Sequence, residues 1–458
     1  MPIQIPRELV EKYNCPGPRY TSYPTVPAWN QKFEDPDYRE ALTELGSRTD
    51  DELAIYLHVP FCAKHCHYCG CNMLVTQEKD AVEQYLGRVE KELEMVTSLI
   101  GTGRRVVQLH WGGGTPNYLK EKEVERTLQL FRSAFTIAED AEVSLEIDPR
   151  IASSRQVHHL HEVGFNRISL GVQDFDLRTQ KAIGRNQSRK RTLEVYQGCR
   201  DAQFEDVNID LVYGLPGQTH ESFIETLHEI IGMKPNRVAC FSYAHVPWIR
   251  PEQNKVDTTI MLTGFEKFRL FQKAVEEFQG ADYTWIGIDH FAQEDDELSI
   301  ALRQRALHRN FMGYATKPAP HMLAFGMSGI GDVCDRFVQN DANLNRWATA
   351  IDRGQFPICK GHRLSEDDML RRKVILNLMC NLELPLSLTE AEYGAPVNEL
   401  LGDSLKSLPP LIEDGLVEQD REGLKITGRG RYFVRNVAML LDAYLGKSKE
   451  NPIFSKTV

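Results

Sequence analysis

Four cysteines fall within eleven positions in the stretch FCAKHCHYCGC, residues 61–71. Cys62, Cys66 and Cys69 have the spacing C-x3-C-x2-C, and Cys71 follows two residues later. Thiolates are soft ligands, so the chemistry on offer is zinc or an iron–sulfur cluster. A structural zinc site closes four positions, commonly with two separated ligand pairs. No second C-x2-C or nearby H-x3-H follows, and ligation by both Cys69 and Cys71 is awkward, which leaves zinc as the weaker alternative. A 4Fe–4S cluster on three cysteines keeps one iron free of protein sulfur, an open position of the kind a catalytic site needs. Cys62, Cys66 and Cys69 are the candidate metal ligands.

The elements that must position these thiols are legible as a rhythm. Apolar or β-branched runs at 53–59 (LAIYLHV), 106–111, 142–148, 167–172, 207–214 and 237–244 alternate with helix-like stretches, of which EKDAVEQYLGRVEKELEMV is the clearest. Six such units predict an α/β fold: an open, partial (β/α)6 TIM-like barrel, with chemistry at the carboxyl ends of its strands. The cysteines come just after the first of these strands. WGGGTP, residues 111–116, ends the second, and its glycines let backbone approach a ligand. It matches neither G-x-G-x-x-G nor a P-loop, so a nucleoside triphosphate is not indicated. Glu146 and Asp148 alternate on one strand and Asn208 and Asp210 on another, so each pair shares a face.

Length predicts more than one domain: an N-terminal extension (1–50), a catalytic domain (51–345) and a smaller C-terminal domain (360–450). YTWIGIDHFA, residues 283–292, reads as one further strand, and VNELLGDSLKSLPPLIEDG, residues 397–415, as helix. Together with the strand-like runs near 416–426 and a last helix, the C-terminal part reads as mainly helical and winged-helix-like, a cap or docking surface rather than a DNA reader. The formal charge of −11, spread along the chain, argues against general affinity for nucleic acid or anionic membrane. The N-terminus MPIQIPRELVEKYN lacks a basic segment followed by an apolar run, and no stretch approaches a membrane span. The expected location is cytoplasmic, where ten cysteines are not a disulfide framework.

The combination resembles the radical S-adenosylmethionine superfamily, whose signature is C-x3-C-x-aromatic-C after the first strand of a partial barrel; Tyr68 is the aromatic here. GPRYTSYPT (17–25), YLHVPFC (56–62), CGCN (69–72), QLHWGGGTP (108–116), EIDPR (146–150), GFNRISLGVQDF (164–175), NIDLVYGLPGQT (208–219) and HRNF (308–311) are similar to the family of oxygen-independent coproporphyrinogen III oxidases, or coproporphyrinogen dehydrogenases.

That resemblance implies a 4Fe–4S cluster and two molecules of S-adenosylmethionine. Tyr56, Gly113 and Glu146 would contact the cluster-bound one, and Gly114, Thr115, Gln173, Arg185, Asp210, Ala244 and Ile330 the second. Cys71 matches a position that is not a ligand, with substrate or radical handling as its implied role. The implied reaction oxidatively decarboxylates coproporphyrinogen III to protoporphyrinogen IX, fed by a low-potential donor such as flavodoxin or ferredoxin, in a monomer. A substrate with four carboxylates needs cationic donors and aromatic walls, which Arg19, Tyr20 and Tyr23 would supply. The rival readings are a haem-trafficking relative, a superfamily enzyme with another substrate, and a zinc-stabilised DNA-binding protein.

Overall fold

In the computed structural model, the described residues are 3–445 and 454–457, apart from 31, 77 and 79. Lys79 of the clearest expected helix, and residues 446–450 of the expected C-terminal domain, lie outside them. The chain forms two compact units: Trp29–Asp210 with Lys317–Leu364, and Met1–Ala28 with Leu211–Thr316 and Ser365–Val458.

The first unit is built on strands β1 (Leu53–Val59), β2 (Arg104–Gly113), β3 (Phe135–Ile147), β4 (Arg167–Gln173) and the start of β5 (Asp206–Tyr213), neighbours in that order. The β1–β2, β2–β3 and β3–β4 pairs are parallel, and His321–Phe325 pairs parallel on the other side of β1. Parallel neighbours need crossovers, and the helices Ala81–Ile100, Glu121–Ala134, Ser154–Glu162 and Arg189–Asp201 supply them. The first of these buries Tyr85, Leu86, Val89, Leu93, Val96 and Ile100, a stripe at steps of one to four residues. The side chains of Ser153 and Ser188 cap the last two by accepting from the N–H groups of Gln156 and Arg191. Three antiparallel strands that sequence reading did not anticipate, Ile330–Val333, Arg336–Asn340 and Ile358–Arg363, follow His321–Phe325.

Strands of a parallel sheet usually read as continuous apolar runs, because helices cover both faces. Here one face follows that rule: Ile55, Leu57, Leu109, Trp111, Leu145, Ile168, Leu170 and Ile209 are buried. The alternate positions carry Tyr56, His110, Glu146, Ser169, Asn208 and Asp210, all only half-buried. A polar, partly open face on a parallel sheet marks where a ligand would lie.

In the second unit β6 (Arg237–Ser242) pairs antiparallel with His290–Gln293, which pairs antiparallel with Tyr283–Ile286. The run expected as one strand is thus a hairpin, turned at Gly287, whose φ of +53° suits glycine. The helices Gly264–Gly280 and Glu366–Asn381 lie in this unit, as does a three-stranded sheet of Glu383–Pro385, Gly423–Ile426 and Val417–Gln419. Tyr20, Tyr23, Phe268, Leu378, Leu411 and Phe433 share its core. The helix expected from 397 is three pieces, Val397–Leu400, Gly402–Leu405 and Pro409–Glu413. Gly402 weakens the helix and Pro409 lacks the N–H to continue one, so each begins a new turn. No helix among the described residues is long and apolar enough to cross a membrane.

Candidate functional site

The cysteine loop leaves β1 at Pro60 and is tied by backbone bonds: Cys62 N–H donates to the Leu74 carbonyl (2.9 Å), Leu74 N–H to that of Pro60 (2.7 Å) and His67 N–H to that of Ile183 (2.9 Å). These ties fix a segment that has no helix or strand of its own. Cys62 Sγ lies 3.1 Å from Thr115 Oγ1, and burial pushes its thiol up to about 11. The Cys71 N–H donates to Cys69 Sγ at 3.4 Å, while Cys71 itself is exposed. Cys66 is buried and meets two guanidiniums, Arg150 Nη2 at 3.4 Å and Arg185 Nη1 at 3.6 Å. Between those arginines sits Asp148, which accepts from Arg150 Nη2 at 2.6 Å and from Arg185 Nη2 at 3.3 Å. Burial alone would raise its carboxyl, but Arg185 and Arg150 hold it below the usual range. Burial also raises the phenol of Tyr68 in the same loop.

At the end of β2, Gly113 has φ +114° and a Cβ there would collide with the His58 ring; one at Gly114 would overlap the Pro60 carbonyl. Only glycine allows both approaches. Gly113 N–H donates to Glu146 Oε2 at 3.4 Å. His58 Nε2 lies 2.8 Å from the Asn72 carbonyl, an acceptor, so that nitrogen carries the proton and Nδ1 accepts from the Tyr56 hydroxyl at 3.1 Å. Burial lowers the His58 pKa to about 4, which keeps the ring neutral. Tyr56 stacks on His110 with ring centres 6.0 Å apart, and His110 Nε2 lies 3.5 Å from Glu146 Oε1.

Further along the same face, Asp210 accepts from Ser169 Oγ at 3.0 Å and from Asn208 Nδ2 at 2.8 Å. Burial first, and Glu146 second, push its carboxyl up to about 7. Gln173 ends β4 with φ +69°, and Ile330 opens the strand Ile330–Val333. Tyr56, Tyr68, the four cysteines of the loop, Gly113, Gly114, Thr115, Glu146, Gln173, Arg185, Asp210 and Ile330 all belong to the first unit. Arg19, Tyr20 and Ala244 belong to the second. There Arg19 pairs with Asp289, Tyr20 is 1% exposed with its hydroxyl donating to Asp442 at 3.0 Å, and the Ala244 carbonyl accepts from Gln253 Nε2 at 3.2 Å.

Sequence reading assigned no role to His58, His110 or Arg150. The histidines carry a signal, since His58 alternates with Tyr56 and His110 shares the polar face; Arg150 carries only its place two residues after Asp148.

None of the ten cysteines forms a disulfide. Among the described residues no three ligating side chains converge closely enough for a single metal ion, whereas an iron–sulfur cluster spreads its cysteines around a larger body. Three thiols with cationic donors at one sulfur, beside a face offering a backbone N–H, Glu146 and Asp210, fit a 4Fe–4S cluster and a zwitterionic sulfonium ligand.

A family model described as the Radical SAM superfamily matches residues 56–230, and one described as the HemN C-terminal domain matches 364–433. The chain is therefore of the radical S-adenosylmethionine class, which works with a 4Fe–4S cluster and S-adenosylmethionine. An oxygen-independent coproporphyrinogen III oxidase of Synechocystis is 40% identical over 460 residues, covering 100% of this chain and 98% of that protein. The Escherichia coli protein of the same name is 38% identical, with 98% of each chain covered. The solved structure of the Escherichia coli coproporphyrinogen III oxidase, described as a radical SAM enzyme, superposes with a TM-score of 0.91 at 37% identity, covering 97% of this chain and 100% of that one. This chain belongs to the family of oxygen-independent coproporphyrinogen III oxidases.

Proposed function

We propose that the chain oxidatively decarboxylates coproporphyrinogen III to protoporphyrinogen IX, turning two propionates into vinyl groups in anaerobic porphyrin biosynthesis. The observation that carries the reading is the three-thiol loop set beside the polar strand face, in a chain that matches coproporphyrinogen III oxidases over its whole length. Each conversion removes one hydrogen atom, one electron and carbon dioxide. When bound, the cluster and S-adenosylmethionine supply a 5′-deoxyadenosyl radical, strong enough to take hydrogen from an unactivated propionate carbon where a side-chain base is not.

The chain's own residues hold and orient. Cys62, Cys66 and Cys69 are the cluster ligands in this reading. Tyr56, Gly113 and Glu146 hold one S-adenosylmethionine, with neutral His58 fixing the Tyr56 hydroxyl and Tyr68 lining the loop. Gly114, Thr115, Gln173, Arg185, Asp210, Ala244 and Ile330 hold the second. Cys71, exposed and not a ligand, serves substrate or radical handling, and Arg19 and Tyr20 serve the substrate. A low-potential donor such as flavodoxin or ferredoxin delivers the electron to a monomer in the cytoplasm.

The test is anaerobic turnover of the reconstituted protein with S-adenosylmethionine, a low-potential reductant and coproporphyrinogen III, with porphyrins and 5′-deoxyadenosine read by mass spectrometry. Loss of two carboxyl groups, falling to background in Cys66→Ser, is the expected result. Deoxyadenosine without porphyrinogen turnover would mean a different substrate.

A further inference from the structure

The second unit contains a group of cations that its own carboxylates do not neutralise. Arg19, from the segment before the first strand, pairs with Asp289, and its guanidinium lies 5.9 Å from the Phe241 ring centre. Asp289 is 3% exposed and also accepts from His290 Nδ1 at 2.8 Å. Lys267, on the helix Gly264–Gly280, is half-buried; its ammonium donates to the Tyr243 carbonyl at 2.8 Å and lies 5.7 Å from the Tyr213 ring centre. Arg309, on the strand His308–Asn310, packs on Tyr314 at 4.6 Å and donates to its hydroxyl from Nη1 at 2.6 Å, while its buried Nε has no hydrogen-bond partner. Arg435 adds a fourth charge, but its donors are taken by the backbone carbonyls of Gly17, Pro18, Lys456 and Thr457.

Among the described residues, Asp289 is the one carboxylate ion-paired with any of these four cations. The cations feel each other: Arg309 lowers the basicity of Arg19, and Arg19 lowers that of Arg435, in both cases after burial, which contributes most. Burial and then Arg19, Arg435 and Lys456 push Lys267 down to about 7. Unpaired cations in a low-dielectric setting cost stability, and such arrangements persist where a ligand completes them. The completing group must be anionic, and forked guanidiniums beside an ammonium suit carboxylate oxygens. Tyr213, Phe241 and Tyr314 around the same cations give apolar surface against which a macrocycle can lie.

We propose that Arg19, Arg309 and Lys267 form a carboxylate site that takes the propionates of the tetrapyrrole substrate. The proposal rests on the substrate reading above and extends it to Lys267 and Arg309.

The experiment titrates the reconstituted wild-type protein, Lys267→Gln and Arg309→Gln with coproporphyrin III and with its tetramethyl ester, following tryptophan fluorescence. The free acid should bind at least about tenfold more weakly to each variant, roughly the loss of one charge-assisted contact. The ester should bind all three proteins equally and weakly. Equal affinity of folded variants and wild type for the free acid overturns the carboxylate site while leaving the substrate reading intact. If the wild type binds no porphyrin, the substrate reading falls, and mellitate, a simple polycarboxylate, then decides the site by thermal shift. A rise in melting temperature that needs Lys267 and Arg309 keeps it, and no rise removes it. Lys267→Met, which keeps the unbranched stem without the charged end, replaces Lys267→Gln should that variant not fold.

Discussion

Around Cys66 two guanidiniums share one buried carboxylate and turn their remaining donors toward a sulfur; around Lys267, in the other unit, cations outnumber carboxylates and lower one another's basicity. In the first cluster Asp148 lies between Arg150 and Arg185, and the other partner that both guanidiniums share is the Cys66 sulfur, a ligand in the cluster reading. Among the described residues the second cluster has only Asp289 as an ion-paired carboxylate, and it stays cationic until something anionic arrives. The difference separates a site that organises a cofactor's ligands from one that waits for a substrate. It also sets opposite signs for what mutation should do to stability.

Asp148→Asn gives the largest effect. It would leave buried Arg185 and half-buried Arg150 near each other with no carboxylate between them, and removing one partner of a buried ionic group costs about 3–5 kcal/mol. Thermal or denaturant unfolding should show a large fall in stability, together with poor retention of iron. A loss under about 1 kcal/mol would mean that water, not Asp148, compensates the arginines, and the contrast between the clusters would fail.

Most of the fold was legible because its signal is local. The run at 53–59 is β1 itself, Leu53–Val59, and the other five runs fall on strands, since apolar, β-branched segments between amphipathic helices have few other uses. The hairpin at Gly287 was missed because IGID carries none of the usual two-residue turn pairs and its strands are only four residues each. The site divides the same way. Cysteine spacing is written in eleven consecutive residues, so the loop could be read directly. Lys267, Arg309 and Asp289 come from a helix, a short strand and a hairpin turn, and in sequence Lys267 is merely another charge on an amphipathic helix. The burial of Tyr20, with its hydroxyl donating to Asp442 at 3.0 Å, is likewise not written in the local stretch GPRYTSYPT, because Asp442 lies more than four hundred residues away in sequence.

Lys267→Met sharpens the comparison from the other side. Where deleting Asp148 exposes charge, deleting the Lys267 ammonium relieves repulsion from Arg19, Arg435 and Lys456, at the loss of one bond to the Tyr243 carbonyl. Sites built for ligands commonly gain stability when such a residue is neutralised, at the cost of function. The ligand-free variant should melt about 1 °C higher than wild type, the shift that roughly 1 kcal/mol makes in a chain of this size. A lower melting temperature would make Lys267 a structural donor to Tyr243 instead of a held charge.

The smallest expected effect is in proton counting. Burial and the neighbouring cations hold Lys267 near 7, against an ordinary value of 10.5. Between those values the unfolded chain binds this proton more readily than the folded one, so the Lys267 contribution to stability rises as pH increases from about 7 to about 10.5. Wild type should therefore gain on Lys267→Met as pH is raised from 7 to 9, and the gap in melting temperature between them should narrow. A carboxylate beside the ammonium pushes the other way, favouring the charged form and raising its pKa. Binding of coproporphyrin III at pH 8 should then draw up to about one proton onto the protein. Calorimetric titration in buffers of different ionisation enthalpy measures that number directly. In Lys267→Met the uptake should vanish even where some binding persists, because Arg19, lowered by burial only to about 10, is still charged at pH 8. Uptake that survives the substitution would place the titrating group elsewhere and return Lys267 to the class of buried cations with no ligand to meet.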